Sequence, residues 1–307
     1  MTEHLSNSYY GAHISISEGV ENTIDYIHSI GGNMIQIFIS NPMSTKTIIN
    51  MKKFSPIVCA RIKQKLLDTN SKLVIHLPYV INLAKHLGPN PANNWWIQII
   101  CNQLMIGESM GSIGCVVHVG KHLDLTISDG LDNMYESIKY IIEYMKTHNL
   151  TTYLILETAA GQGSELIRTS NNSIEDLADF YNKFDDTDKN YLKICVDTCH
   201  IFAAGYDIKT KTQVKNFFDS FNALIGIQHM ALIHLNDSKT NCGSCVDRHQ
   251  NIGAGYIGLT GLRHFIRYGL FYQIPIILET PSEYVLELML INTIKQGINK
   301  WIDKNST

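Results

Sequence analysis

The chain has 307 residues, of which 45% are hydrophobic and 17% charged, and its formal net charge is −3. These values predict a large buried core and exclude a globally basic surface that would by itself indicate a nucleic-acid partner. The sequence contains no apolar run of the roughly 18 residues that a membrane span needs. Its start lacks the basic-then-apolar order of a secretory signal. Seven cysteines, an odd number, do not indicate a disulfide framework, so we expect an intracellular, reducing compartment.

Eight short runs rich in Ile, Val and Leu are typical of strands covered by helices on one side. They are Tyr9–Ile16, Asn33–Ser40, Lys72–Tyr79, Gly114–Gly120, Thr151–Thr158, Leu192–Thr198, His229–Asn236 and Ile274–Glu279. Segments of helical length alternate with them, at Val20–Ser29, Pro56–Leu67, Asn93–Met110, Gly130–His148, Ile174–Phe184, Thr212–Ile225, Leu259–Tyr268 and Glu283–Ile302. The alternation predicts an α/β fold, a (β/α)8 TIM barrel. We expect a single domain over residues 1–307, with flexible tails at 1–8 and 303–307.

Imidazole and carboxylate side chains stand at the ends of six of these runs. They are His76, His118, Glu157, Asp197, His234 and Glu279, and they are joined by His200, Asp247 and His249. Strand ends meet at one face of a TIM barrel, and buried charges are costly unless they are paired or bind a metal. Imidazole and carboxylate are the ligands that zinc and neighbouring metals prefer. The pattern therefore predicts a metal site with more than one ion.

Local spacing refines this prediction. His200 follows Asp197 at an odd spacing, so the two side chains should diverge and could serve different metals. Asp247 and His249 are two residues apart and should face the same way in an extended loop, with Arg248 opposed. That pair is interpreted as two ligands of one ion, and a plain surface turn is the alternative.

The cysteines near these residues are interpreted separately. Cys195 and Cys199 lie two residues on either side of Asp197, and we expect both to be packing residues. Cys242 and Cys245 form a lone CxxC in a loop, and one such pair cannot complete a tetrahedral site. A redox or accessory-metal role for that pair stays open.

Several segments resemble, in order and spacing, the signature segments of the endonuclease IV family of abasic-site DNA endonucleases. They read HLPYVINLA, LETAAGQGS, CVDTCHIFAAGYD, HLNDSKT followed by CGS and VDRHQNIGAGYIG, and IPIILETP, and the likeness runs from YYGAHIS at residues 9–15 to Glu279. The resemblance implies a TIM barrel with three zinc ions per chain, one of them replaceable by Mn²⁺. It implies three ligand sets, namely His76, His118 and Glu157; Glu157 (bridging), Asp197, His234 and Glu279; and His200, Asp247 and His249.

The resemblance also implies a reaction and a partner. The enzyme would hydrolyse the phosphodiester 5′ to abasic sites in double-stranded DNA during base-excision repair, leaving a 3′-hydroxyl and a 5′-deoxyribose phosphate. It would also clean blocked 3′ ends, and it would act as a monomer. Zinc chemistry suits a phosphodiester, because such ions supply a nucleophile at neutral pH and neutralise developing charge. Glu157 and Glu279 are the expected catalytic carboxylates.

Residues that contact DNA are predicted from the same resemblance. Tyr79 and Val80 match positions that press into the duplex beside the turned-out nucleotide, and flipping costs least where a base is missing. Strand-end packing is the alternative for Tyr79. Met43, in SNPMSTK, stands where the family has a wedge arginine, and methionine can fill a gap in the stack without attracting phosphate. Candidate phosphate contacts are Lys121, Lys239 and Arg248, and for each of the two lysines a solvated surface role is the alternative.

Two other functions remain to be weighed. A metal-dependent sugar isomerase would share the barrel and some of the ligands, but its chemistry needs two ions and no third set. A zinc protein that senses lesions without cutting is the other alternative, and the intact ligand positions argue against it.

Overall fold

Eight parallel strands close into a barrel within the part of the chain that the computed structural model describes, which is residues 8–45, 53–167, 174–282 and 284–305. In chain order the strands are β1 Tyr10–His13, β2 Met34–Ile37, β3 Lys72–His76, β4 Gly114–His118, β5 Tyr153–Glu157, β6 Leu192–Asp197, β7 Met230–His234, the short β8 Asp237–Ser238 and β9 His249–Gln250, and β10 Ile276–Leu278. β10 pairs with both β7 and β1 and so closes the barrel, while β8 and β9 form a separate antiparallel hairpin. The predicted TIM barrel is confirmed.

The helices surround the barrel. They are α1 Val20–Ser29, α2 Pro56–Asp68, α3 Trp95–Met110, α4 Ile127–Thr147, α5 Glu175–Tyr181, α6 Thr198–Ala204, α7 Lys211–Leu224, α8 Gly258–Phe271, α9 Tyr284–Gln296 and α10 Ile298–Asn305. None of these helices, within the ranges described, is long and apolar enough to cross a membrane.

Local capping explains several helix starts that differ from the predicted ones. The Thr126 hydroxyl accepts a hydrogen bond from Asp129 N, so α4 begins at Ile127, three residues before the predicted Gly130. Thr210 and Gln213 form a capping box at the start of α7. A side-chain oxygen at this position satisfies backbone N–H groups that have no partner inside the helix.

Other differences lie at the end of the chain and after β6. The predicted last helix is two helices, α9 and α10, and its predicted first residue, Glu283, is outside the described residues. α6 was not predicted. Of the expected tails, residues 1–7 and 306–307 lie outside the described ranges. Ser8 is buried, and residues 303–305 continue α10.

The barrel interior contains a compact apolar layer beneath its mouth. Seven strands each contribute one side chain to it: Met34, Val74, Val116, Ile155, Cys195, Leu232 and Ile277. β1 contributes none, because a Cβ on Gly11 would lie 1.6 Å from the Met34 carbonyl oxygen. This layer fills the barrel below the side chains that the strands project at their C-terminal ends.

The fully buried carboxylate of Asp237, in β8, organises the loop that follows the hairpin. It accepts backbone hydrogen bonds from Gly253, Gly255 and Ile257 at 2.9–3.0 Å. Gly255 is required here, since a Cβ at that position would lie 2.5 Å from Asp237 Oδ1. Asp237 thus ties the loop to the β8–β9 hairpin.

We expect Asp237→Ala to lower the free energy of unfolding by at least about 3 kcal/mol, because it leaves several backbone N–H groups without partners. Urea unfolding measures this change. Asp219→Ala is the control: Asp219 is an exposed partner of Lys215, and its loss should cost no more than about 0.5 kcal/mol. Equal losses in the two variants would contradict the role of Asp237.

Candidate metal centre

Polar side chains stand two residues beyond the interior layer, at the C-terminal mouth of the barrel. Side chains alternate along a strand, so these residues point into the barrel, as the layer does. They are His13, Gln36, His76, His118, Glu157, Asp197, His234 and Glu279. The structure therefore brings together all six strand-end residues predicted as ligands and adds His13 and Gln36.

The first predicted ligand set surrounds one carboxylate oxygen. His76 Nε2 lies 3.4 Å, and His118 Nε2 3.2 Å, from Glu157 Oε2. The other oxygen of the same carboxylate, Oε1, lies 2.8 Å from His234 Nδ1. Glu157 therefore faces both the first and the second set, as a bridging ligand must.

The second set is centred on His234. Its Nδ1 lies 3.2 Å from Glu279 Oε2 and 4.0 Å from Asp197 Oδ2, in addition to its contact with Glu157. One ligand atom from each of these four residues lies within 4.8 Å of the others. Such spacing suits one cation bound by several side chains.

The third set is formed by the hairpin and α6. Asp247 contacts His200 Nε2 through Oδ2 at 3.2 Å and His249 Nε2 through Oδ1 at 3.1 Å. Asp247 and His249 thus face the same way, as predicted from their spacing. Asp197 also approaches this set, because its Oδ2 lies 3.7 Å from His249 Nε2.

The expectation that Asp197 and His200 diverge was wrong. Their ligand atoms lie, with one of His249, within 4.8 Å of one another. The strand ends at Asp197 and α6 begins at Thr198, so the spacing of three residues is helical there. Asp197 caps this helix by accepting a hydrogen bond from His200 N, which keeps the two side chains on the same side.

The histidines and carboxylates of the centre shift one another's pKa values toward the charged forms. Burial favours the neutral acid at Glu157, but His234 and His118 outweigh it and hold the pKa of that carboxyl well below its usual range. The pKa of Glu279 is also lowered, against burial, mainly by His234. Burial lowers the pKa of His234, yet the Glu279 and Glu157 carboxylates raise it well above its ordinary value. Ionised carboxylates here attract positive charge, which a divalent cation supplies on displacing protons.

The ion pairs of the centre predict that the thermal stability of protein stripped of metal by a chelator depends on pH. Burial lowers the pKa of His249, but the nearby carboxylates of Asp197 and Asp247 raise it from 6.5 to about 9. A group whose pKa is higher in the folded than in the unfolded protein stabilises the fold fully at pH values below its unfolded pKa. This stabilisation is lost as the pH rises through its folded pKa. We therefore expect the Tm of stripped protein to fall between pH 6.5 and about 9, with a weaker fall in His249→Gln. Identical pH profiles for the two proteins would contradict this.

The donor atoms fit a metal. Among the described residues, Glu157 Oε2, His200 Nε2 and His249 Nε2 are buried side-chain atoms with no hydrogen-bond partner. Such atoms are rare unless something else satisfies them. All three belong to predicted ligands and point into the centre, so imidazole nitrogens and carboxylate oxygens are available where zinc would need them.

His13 and Gln36 were missed as site residues by sequence reasoning. Gln36 Nε2 lies 2.5 Å from Glu279 Oε1, and His13 Nδ1 lies 3.2 Å from the same oxygen. An amide is an uncommon zinc ligand, and His13 appeared only as part of the YYGAHIS segment. Their positions could have identified them. Each lies at the same point of its strand as the predicted ligands do in the other six strands.

The residues predicted to enter the DNA stack lie in two loops at the mouth. Tyr79 follows β3, is 47% exposed, and packs its ring 5.3 Å from those of His76 and His118. Val80 beside it is half-buried. Met43 is 72% exposed in the loop after β2, where its backbone N–H donates to Asn41 Oδ1. Tyr79 and Met43 therefore present exposed side chains in the loops that follow β3 and β2.

The predicted phosphate contacts differ in their surroundings. Lys121 Nζ lies 3.5 Å from Glu165 Oε1, so its charge is partly engaged. Lys239 and Arg248 are exposed and adjacent in the hairpin, where Lys239 N donates to the Arg248 carbonyl oxygen at 2.9 Å. The hairpin thus presents two cations beside the third set.

The cysteines behave as thiols in the described structure. Burial raises the pKa of both Cys195 and Cys199 to about 12. Cys199 nevertheless lies near the third set, with its Sγ within 4.8 Å of ligand atoms of Asp247 and His249. Cys242 and Cys245 are half-buried free cysteines. The packing role predicted for Cys195 and Cys199 agrees with their burial.

Comparisons with known proteins show relatives over nearly the whole chain. A Clostridium beijerinckii protein named as a probable endonuclease 4 is 34% identical over 299 residues, which is 94% of this chain and 99% of that protein. A protein of Acanthamoeba polyphaga mimivirus, also named as an endonuclease 4, is 33% identical over 90% of this chain and 86% of its own length.

Solved structures show the same fold. Endonuclease IV from Thermus thermophilus superimposes with a TM-score of 0.71 at 24% identity, covering 96% of this chain and 99% of its own. A D-tagatose 3-epimerase-like protein reaches 0.68 at 17% identity, over 95% and 99% of the two chains. The family model described as xylose isomerase-like TIM barrel matches residues 24–304. The chain therefore belongs to the xylose isomerase-like TIM-barrel family and, with its curated relatives, to the endonuclease IV family.

Proposed function

We propose that this protein is a zinc-dependent endonuclease that cuts the phosphodiester 5′ to abasic sites in double-stranded DNA, leaving a 3′-hydroxyl and a 5′-deoxyribose phosphate. The observation that carries the proposal is the convergence of three ligand sets at one barrel mouth. Removal of blocked 3′ ends, action as a monomer and a place in intracellular base-excision repair belong to the same proposal.

In this proposal the three sets hold three zinc ions: His76, His118 and Glu157; Glu157, Asp197, His234 and Glu279; and His200, Asp247 and His249. When bound, zinc supplies a nucleophile at neutral pH and neutralises charge on the phosphate. Mn²⁺ is an acceptable replacement at one site. The ligand set of oxygen and nitrogen donors with no thiolate suits either ion.

Glu157 and Glu279 are the proposed catalytic carboxylates. Glu157 is buried between the first and second sets, so it holds both in fixed relation. Glu279 is held by Gln36 and His13 on one oxygen, which leaves Oε2 facing His234. A carboxylate held in this way can orient an attacking water and accept its proton.

DNA recognition would use the exposed residues around the mouth. Tyr79, Val80 and Met43 provide apolar surface that can fill the gap left by a turned-out nucleotide, and Lys121, Lys239 and Arg248 are the proposed phosphate contacts. Turning a nucleotide out of the stack costs least when its base is missing. That difference would select abasic sites without base-specific hydrogen bonds.

Incision of a duplex with one synthetic abasic site tests the proposal. We expect cutting 5′ to the site, loss of cutting after chelation, and recovery when zinc is added back. The matching duplex with an intact base is the control. If zinc-loaded protein leaves the abasic strand whole, the proposed activity is wrong.

The sugar-isomerase alternative is weakened by the third set. An isomerase needs two ions, whereas Asp247 and His249 come from a hairpin outside the barrel and add a further set of donors. Turnover of ketohexoses by protein that does not cut abasic DNA would favour the isomerase. A lesion sensor would bind abasic duplex and release it uncut.

Met43 gives a prediction about DNA binding. Met43→Arg should tighten binding and steepen its salt dependence by up to about one unit of slope, because a new cation would release counterions from phosphate. Met43→Ala should weaken discrimination between abasic and intact duplex with little change of slope, since it removes only apolar surface. Binding titrations across a salt series measure both effects. Unchanged discrimination in Met43→Ala would leave Tyr79 and Val80 as the inserted residues.

A further inference from the structure

Three histidines of the centre are oriented by backbone carbonyl groups. His76 Nδ1 lies 2.7 Å from the Leu77 carbonyl oxygen, and His200 Nδ1 lies 2.8 Å from that of Thr158. His249 Nδ1 lies 3.2 Å from the carbonyl oxygen of Glu279. A carbonyl oxygen only accepts, so each Nδ1 carries the proton and each Nε2 keeps a lone pair for a metal.

His234 is oriented in the opposite sense and by a side chain. Its Nε2 lies 2.7 Å from Gln36 Oε1, and its Nδ1 faces the carboxylates of Glu157 and Glu279. Nδ1 is therefore the ligand atom of this histidine. Its tautomer depends on the Gln36 amide and not on the main chain.

Glu279 determines which way the Gln36 amide points. Gln36 Nε2 lies 2.5 Å from Glu279 Oε1, and only the NH₂ end of an amide can donate to a carboxylate. The opposite orientation would place the Gln36 amide oxygen against the Glu279 carboxylate oxygen, two acceptors with no proton between them. With its NH₂ end on Glu279, Gln36 must offer its oxygen to His234.

We infer that Gln36 is a positioning residue for the second ligand set: it selects the Nε2–H tautomer of His234 and aligns Glu279 through one amide. Both actions concern the same ion, since His234 Nδ1 and Glu279 Oε2 are 3.2 Å apart. Gln36 is fully buried, so water cannot replace the amide. The inference rests on the proposed function only in taking His234 and Glu279 as metal ligands.

The first test measures zinc retention. Gln36→Met keeps a similar length and removes the amide. Loss of such a supporting hydrogen bond commonly weakens metal binding about 10- to 100-fold. We therefore expect a colorimetric chelator to remove one zinc ion from Gln36→Met about 10- to 100-fold more readily than from the wild type. The control is Gln103→Met: Gln103 is equally buried but lies in α3, and its amide donates to Ser40 Oγ and not to a ligand. It should release zinc as the wild type does.

The second test observes the tautomer directly, in zinc-loaded protein labelled with ¹⁵N-histidine. We expect the His234 ring to carry its proton on Nε2, and the rings of His76, His200 and His249 to carry theirs on Nδ1. Gln36→Glu retains an oxygen that can accept from His234, so the Nε2–H form should persist there, whereas in Gln36→Met the ring should also populate the Nδ1–H form as its ion is lost.

Either of two results would overturn the inference: a proton on Nδ1 of His234 in the wild type, or wild-type zinc retention in Gln36→Met. If Gln36→Met does not fold, the wild-type spectrum still decides. Neither readout uses DNA, so the inference and the proposed nuclease activity can fail separately. Wild-type protein that cuts abasic duplex while Gln36→Met keeps all its zinc would refute the positioning role alone.

Discussion

Glu279→Gln should lower the turnover of abasic duplex by roughly 100-fold or more, which is the contribution typical of a positioned acid–base group. Glutamine keeps the size of the side chain and one oxygen donor but removes the charge that faces His234 at 3.2 Å. The fold and DNA binding should persist, because the side chain is 12% exposed at the mouth and is not part of the apolar layer. Single-turnover incision and a binding titration measure the two effects separately.

Glu108→Gln is the matched control for Glu279→Gln. Glu108 accepts hydrogen bonds from the backbone N–H groups of Thr151 and Thr152, just before β5 and at the opposite end of the barrel from the centre. Its replacement should reduce stability slightly and leave turnover unchanged. Near wild-type turnover in Glu279→Gln would show that this carboxylate does not act on the reacting water.

Complete removal of metal should abolish cutting, and active protein should contain three ions per chain, mainly zinc. The first and second sets share Glu157, and Asp197 of the second set lies 3.7 Å from His249 of the third, so the ions should be bound and lost in a connected way. Chelators should act slowly, since His76, Glu157 and His234 are almost fully buried. Elemental analysis before and during chelation measures both quantities.

Active protein with one ion or none would contradict this prediction. His249→Gln serves as a partial control, because it removes a ligand of the third set and leaves the first set intact. This variant should contain fewer ions than the wild type while retaining the barrel, as judged by circular dichroism. A variant with the full complement of ions would show that His249 is not a ligand.

The sequence predicted the barrel and its mouth because the two depend on short-range patterns. Apolar runs such as LVIH and LILE end in His76 and Glu157, and the alternation of strands and helices places those ends on one face. Helix starts were less accurate, since a single hydroxyl, such as that of Thr126, decides where a helix begins.

Long-range contacts could not be predicted in the same way. Gln36 contacts His234, which is 198 residues away, and no local pattern distinguishes it from an ordinary buried glutamine. The geometry of Asp197 and His200 was misjudged because β6 gives way to α6 within one residue, so the side-chain period changes there. The family resemblance supplied the ligand sets, and it did not extend to the residues that orient them.

Closure of the barrel by β10 determines when the centre can form on the ribosome. The first ligand set is complete once Glu157 has been made, but the second awaits Glu279, whose partner His13 lies 266 residues earlier. Contacts between such distant positions form after local ones. A nascent or truncated polypeptide that stops before residue 279 should therefore lack a complete second ligand set and have no turnover.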